Sequence, residues 1–244
     1  MMITATLYFE KGVDAGGLVK DLKSLPELIK PVYFAEDEGK IIKTNVLSDE
    51  DRFRSFRKEN PTGFFLYAEN KTLIDISTRH VGYAEVTLYL ADGLLSELVE
   101  AFFKCLVESM PVFGFASDED EYKHRNQYCI TIGKNHIEDW IGRRLEKYIS
   151  GVYWYTLVSK GMLKQHGVKL TDLAAEATSL ETLGDGSSHL LKFFESPEDW
   201  KENAERLDNL CERVDGVFSR RSVEAAVAGI TDYLEYDAAI AHWR

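Results

Sequence analysis

Gly63-Phe64-Phe65-Leu66-Tyr67-Ala68, then Glu69-Asn70-Lys71, then Thr72-Leu73-Ile74-Asp75-Ile76-Ser77 is the stretch that decides the fold class. Two runs rich in β-branched and aromatic residues flank a polar triplet, the pattern of a hairpin whose turn is the triplet. Residues 84–90 follow with Val86, Leu88 and Leu90 at every second position, a further strand with one apolar side. Consecutive strands joined by short links predict an antiparallel meander.

Upstream, Ile3, Ala5, Leu7 and Phe9 alternate with Thr4, Thr6 and Tyr8, which predicts a first strand with one buried face. Leu18, Leu22 and Leu25 lie three to four apart between Asp14 and Pro26, a short amphipathic helix, and residues 31–35 return as a strand. Ser48 with Asp51 resembles a capping box opening a helix that ends before Pro61 and uses Phe53 and Phe56 for packing.

Downstream, Asp92 is expected to cap a helix with the stripe Leu94, Leu95, Leu98, Val99, Phe102, Leu106 and Val107, stopped by Pro111. Strands are predicted over 112–115, 128–132, 152–158 and 189–194, with an acidic loop at 117–121. Asn135 and Glu138 open a predicted helix carrying Ile137, Trp140, Ile141, Leu145 and Tyr148, and short helical pieces fall at 161–165 and 171–177. Ser196-Pro197-Glu198-Asp199 is a strong helix start, because the hydroxyl can cap and proline at the first position loses no needed donor. Trp200, Leu207, Leu210, Cys211 and Val214 form its packing face, and Val223, Val227, Ile230 and Leu234 predict one last helix. Strands and helices without strict alternation predict an α+β fold, mostly antiparallel sheet with helices packed on one side. The halves 1–122 and 123–244 share no residue-level repeat, so residues 1–244 read as a single domain.

The chain has 244 residues, 45% hydrophobic and 29% charged, which excludes collagen-like, low-complexity and wholly disordered classes. Lys and Arg number 29 against 41 Asp and Glu, a net charge of −12, and the imbalance is concentrated in residues 1–122 (13 basic, 22 acidic). Nucleic acid is therefore not an expected partner: the basic clusters at Arg52, Arg54, Arg57 and Lys58, at Arg143, Arg144 and Lys147, and at Arg220 and Arg221 are small and interleaved with acids. Cys105, Cys129 and Cys211 form no C-x-x-C pair and no disulfide framework, which suits a reducing cytoplasm. The first residues lack the basic region of a signal peptide, and no apolar run approaches the ~18 residues of a membrane span.

Phosphate-loop, dinucleotide and nucleophile-elbow motifs are absent from the sequence. Gly184-Asp185-Gly186-Ser187-Ser188-His189 reads as a turn entering a strand rather than as a triad. His80, His124, His136, His166, His189 and His242 are scattered. A rival reading takes Asp118, Asp120 and His124 as ligands of a divalent ion in a metal-dependent hydrolase; the leading expectation is no catalytic residue, no metal and no cofactor. Two acidic runs, Glu36-Asp37-Glu38 and Asp118-Glu119-Asp120-Glu121, place like charges in predicted loops, where a basic partner's lysines and arginines would relieve their repulsion. On a strand, Tyr153-Trp154-Tyr155 would bury Trp154 and turn both tyrosines to the other face, where they pack or anchor an interface.

Arg143-Arg144-Leu145 to Tyr148, Gly151-Val152-Tyr153-Trp154 and Gly82-Tyr83-Ala84 together resemble bacterial immunity proteins of polymorphic toxin systems, in particular the immunity protein 52 family. The resemblance covers residues ~80–160 and rests on general spacing. It implies a non-enzymatic, cytoplasmic α+β protein that binds a cognate toxin, and it assigns no site residue. A self-associating structural subunit is a third class that sedimentation would reveal.

Overall fold

The computed structural model describes residues 2–78, 82–90 and 96–244. The cap expected at Asp92, the apolar positions Leu94 and Leu95, and His80 lie outside the described residues. In chain order the elements are β1 (Ile3–Glu10), α1 (Ala15–Leu22), β2 (Tyr33–Ala35), α2 (Glu50–Glu59), β3 (Gly63–Tyr67), β4 (Leu73–Ser77), β5 (Tyr83–Leu90) and α3 (Ser96–Cys105). Then come β6 (Phe113–Asp118), α4 (Glu119–Asn126), β7 (Gln127–Ile132), β8 (Asn135–Trp140), β9 (Tyr155–Ser159), α5 (Lys160–His166) and α6 (Leu170–Ala174). The last are β10 (Ser179–Leu183), β11 (Ser188–Lys192), α7 (Trp200–Arg213), α8 (Arg220–Val227) and α9 (Tyr233–Ile240). This is an α+β fold with mostly antiparallel sheet, and no described helix is long and apolar enough to cross a membrane. Nine strands form one sheet in the order β10-β11-β9-β6-β1-β5-β4-β3-β2, and β7 pairs with β8.

The chain packs as two compact units with interleaved residues. The first comprises Met1–Ala116, Leu157–Ser159 and Glu181–Leu190. Its meander pairs Phe64 with Ile76 and Ile74 with Leu88, and β5 continues antiparallel onto β1 with Val86 opposite Leu7. β1 lies between β5 and β6 in the sheet, and Ile3, Ala5, Leu7 and Phe9 are buried as its alternation predicts, with Thr4 and Tyr8 half-buried on the other face. Thr6 is buried and its hydroxyl meets that of Thr87, directly opposite, at 3.0 Å. Asp49, not Ser48, caps α2, accepting from Arg52 N–H at 3.1 Å. Phe53 and Phe56 of α2 close on Phe34 of β2 and Phe64 of β3, with ring centroids 4.7–6.0 Å apart.

Gly114 of β6 lets that strand approach β1: a Cβ there would overlap Leu7 Cδ2 and stand 2.9 Å from the Thr6 carbonyl oxygen. Gly114→Ala is expected to cost about 1–3 kcal/mol by overpacking, measured by urea denaturation.

The second unit comprises Ser117–Thr156, Lys160–Leu180 and Leu191–Arg244. The helix expected from Asn135 is instead β8, paired antiparallel with β7 through Ile132–Asn135 and Ile130–Ile137. Gly133 at φ +63° supplies the left-handed corner of a two-residue loop, a turn signal that outweighs the helical spacing of Ile137, Trp140 and Ile141. Tyr128, Ile130 and Ile137 pack on a core of Ile132, Ile141, Tyr148, Phe218, Val223, Val227, Tyr236 and Ile240. The expected single last helix is two, α8 and α9, separated at Gly229 (φ +78°), and Leu234 is exposed rather than packed. Ser196 opens the helical stretch as expected, and the Ser196–Asp199 pair forms a capping box there, leading through one 3-10 turn into α7.

Candidate functional site

The run Asp118 to Glu121 is not a loop. Asp118 ends β6 and its carboxylate accepts from Glu121 N–H at 2.6 Å, capping α4, whose first turn holds Glu119, Asp120 and Glu121. Burial raises the Asp118 pKa, and the bond from Glu121 N–H opposes that rise. The four acids therefore diverge: Glu119 and Asp120 are exposed, whereas Asp118 is buried and Glu121 is 0% exposed.

One helical turn decides the fate of Glu121. Arg125, four residues on, donates from Nε to Glu121 Oε1 at 3.0 Å, and Trp154 N–H reaches Oε2 at 3.4 Å. Arg125 Nη1 donates to Asp208 Oδ1 at 3.2 Å, and His124 Nε2 meets Asp208 Oδ2 at 3.1 Å. Tyr153, under the Arg125 guanidinium at 5.8 Å, donates to Asn126 Oδ1 at 2.7 Å. Burial pushes the Glu121 carboxyl up to about 7 against the pull of Arg125. Burial also works on Asp208, but its bond to His124 and the charge of Arg125 prevail and hold it below the usual carboxylate range. Arg125 Nη2 has no hydrogen-bond partner among the described residues. The cavity lined by Arg125, Gly151, Asp208 and Cys211 measures only about 10 Å³, at the lower limit for one water, so this network is framework rather than a substrate site.

Because the folded Glu121 binds its proton more tightly than the unfolded chain does, its share of stability is full below the unfolded carboxyl value and is lost as pH rises through about 7. Thermal midpoints are expected to fall more steeply between about pH 5 and pH 8 in the native chain than in Glu121→Gln. Equal slopes would contradict this assignment.

His124 is turned to Asp208 and Asp118 to its helix, so the proposed trio with Asp120 is not assembled, and no metal-holding group of His, Cys, Asp or Glu occurs among the described residues. Tyr153, Trp154 and Tyr155 are all buried, the packing reading rather than the interface anchor, and Tyr153 and Trp154 precede β9. Ser188 and His189 are buried at the start of β11, with His189 Nδ1 against Thr182 Oγ1 at 3.3 Å, as a turn entering a strand requires. Burial pushes the Cys105 and Cys211 thiols up to about 11.

Glu36, Asp37 and Glu38 are exposed in the connection after β2. Asp37 lies 3.7 Å from Lys40, and Gly39 N–H donates to Tyr67 Oη at 2.7 Å, tethering the loop to β3. Glu119 is neutralised by Lys123 at 2.6 Å. Glu36, Glu38 and Asp120 have no ion-pair partner among the described residues. Tertiary distance hid Asp208 and Trp154 from the sequence reading, but the i, i+4 pairs Glu119–Lys123 and Glu121–Arg125 were available as helix signals. Comparison with protein-family models, curated proteins and solved structures finds no match.

Proposed function

We propose that the chain is a non-enzymatic binding protein, an immunity protein that neutralises a cognate bacterial toxin in the cytoplasm by occluding it. The observation that carries this reading is the division among its acids. Asp118, Glu121 and Asp208 are committed to capping and to Arg125, whereas Glu36, Glu38 and Asp120 stand exposed without an ion-pair partner among the described residues. With a net charge of −12, such carboxylates favour encounter with a basic protein, and nucleases that act on polyanions are basic for the same reason. Burial removes Asp118 and Glu121 from the expected contact set, leaving Glu36, Asp37, Glu38, Glu119 and Asp120.

Calorimetry of the toxin complex tests it. Alanine at these five positions together is expected to weaken binding by about tenfold or more at low salt, and unchanged affinity would remove the assignment. Titration with Zn²⁺ or Mg²⁺ separates the rival hydrolase: a tight stoichiometric site would favour that reading instead.

A further inference from the structure

In the first unit the β1–α1 connection, the end of α2 and the starts of β3 and β5 enclose a cleft of about 690 Å³, within the range of small-molecule sites. Phe64 and Ala84, both buried, give it an apolar floor, extended by Val13 and Pro61. Its charged wall is built from segments far apart in sequence. Arg57 of α2 donates from Nη2 to Asp14 Oδ1 at 3.1 Å, and the same carboxylate accepts Gly16 N–H at 2.9 Å and Gly17 N–H at 3.0 Å. Gly16 makes this possible, since a methyl group there would overlap Arg57 Nη1. The guanidinium is thus seated on the first turn of α1, held by Asp14, with its side chain still 32% exposed.

Among the described residues two cations line the cleft, Arg57 and the exposed Lys11, and Lys11 has no ion-pair partner there. Asp14, the acid in the lining among the described residues, has both oxygens engaged. Asn60 Nδ2 donates one N–H to Phe56 O at 3.0 Å and Thr78 donates its hydroxyl proton to Pro61 O at 3.2 Å, and both keep acceptor oxygens. A pre-positioned guanidinium fork and an ammonium lining one cleft, in a chain otherwise strongly acidic, select an anion.

We infer that this cleft binds a small organic anion, a carboxylate or phosphate group engaging Arg57 and Lys11 while a compact body lies on Val13, Pro61 and Phe64. The inference is independent of toxin binding. Carboxylate and phosphate share the chemistry, so the probes separate them: citrate, glucose 6-phosphate and, as neutral control, glucose, titrated at constant ionic strength into the full ¹⁵N-labelled chain. At least one of the two anions is expected to saturate the amide shifts of Gly12, Val13 and Gly16 with a Kd of about 1 mM or tighter, and glucose to leave them unmoved. Whichever anion saturates identifies the headgroup. Arg57→Gln is expected to weaken binding about tenfold or more. Lys11→Gln and the cleft-filling Val13→Trp leave the Asp14–Arg57 pair in place and should weaken and abolish it, respectively, so a poorly folding Arg57 variant would not spoil the test. No saturation by either anion, or equal affinity in the native chain and in Val13→Trp, would overturn the inference.

Discussion

Replacing Arg125 by leucine is expected to lower the unfolding free energy by about 3–5 kcal/mol, because it removes the cation from a buried group whose anions stay behind. Arg125 is 4% exposed, and Glu121 and Asp208 both lean on it. Glu121, already pushed up to about 7, can escape by taking a proton. Asp208 retains its bond to His124 and the charge of Arg221. The companion double variant Glu121→Met with Arg125→Leu is expected to recover most of the loss, since a well-packed apolar pair of similar volume matches a buried ion pair in stability. Urea denaturation with unchanged slope reads both. A loss of less than about 1 kcal/mol in the single variant would show that the charges are hydrated and that the buried network is wrongly drawn.

Trp154→Ala is expected to cost about 3–5 kcal/mol as well, for a different reason: it opens a cavity. Trp154 is 1% exposed, its ring lies edge-on to Tyr155 with centroids 4.8 Å apart, and its Nε1–H donates to Phe194 O at 3.0 Å. Trp154→Phe separates the contributions. It keeps much of the volume but strands the Phe194 carbonyl, an unsatisfied acceptor costing about 1–3 kcal/mol. Equal losses in the two variants would mean that the hydrogen bond, not the packing, dominates.

The parts of this molecule legible in its sequence are those fixed by neighbours in the chain. The meander of β3, β4 and β5 follows from alternation and one polar turn, and the helix start at Ser196 from four consecutive residues. Residues 135–140 read as a helix from their apolar spacing, and the pairing of β8 with β7 across Gly133-Lys134 overrode that spacing. The exposed β10 carries no apolar pattern to announce it: only Leu183 is buried in Ser179–Leu183. The acidic run misled for a physical reason. Charge composition predicts solvation, but an i+4 arginine and a partner 83 residues beyond it can draw a carboxylate inward, and neither partner's position is readable locally. The anion cleft is hidden likewise, since Asp14 and Arg57 meet across 43 residues.

The proposed function has the exposed carboxylates steering a basic toxin onto a chain that performs no chemistry itself. The most direct measurement is the association rate of the purified chain with the proposed basic toxin, followed by stopped flow at roughly 50 and 300 mM salt. The account predicts a rate that falls steeply with salt, and a Glu36→Gln, Glu38→Gln, Asp120→Asn triple variant that associates about tenfold more slowly at the lower salt. No complex, or a rate indifferent to both salt and variant, would contradict it.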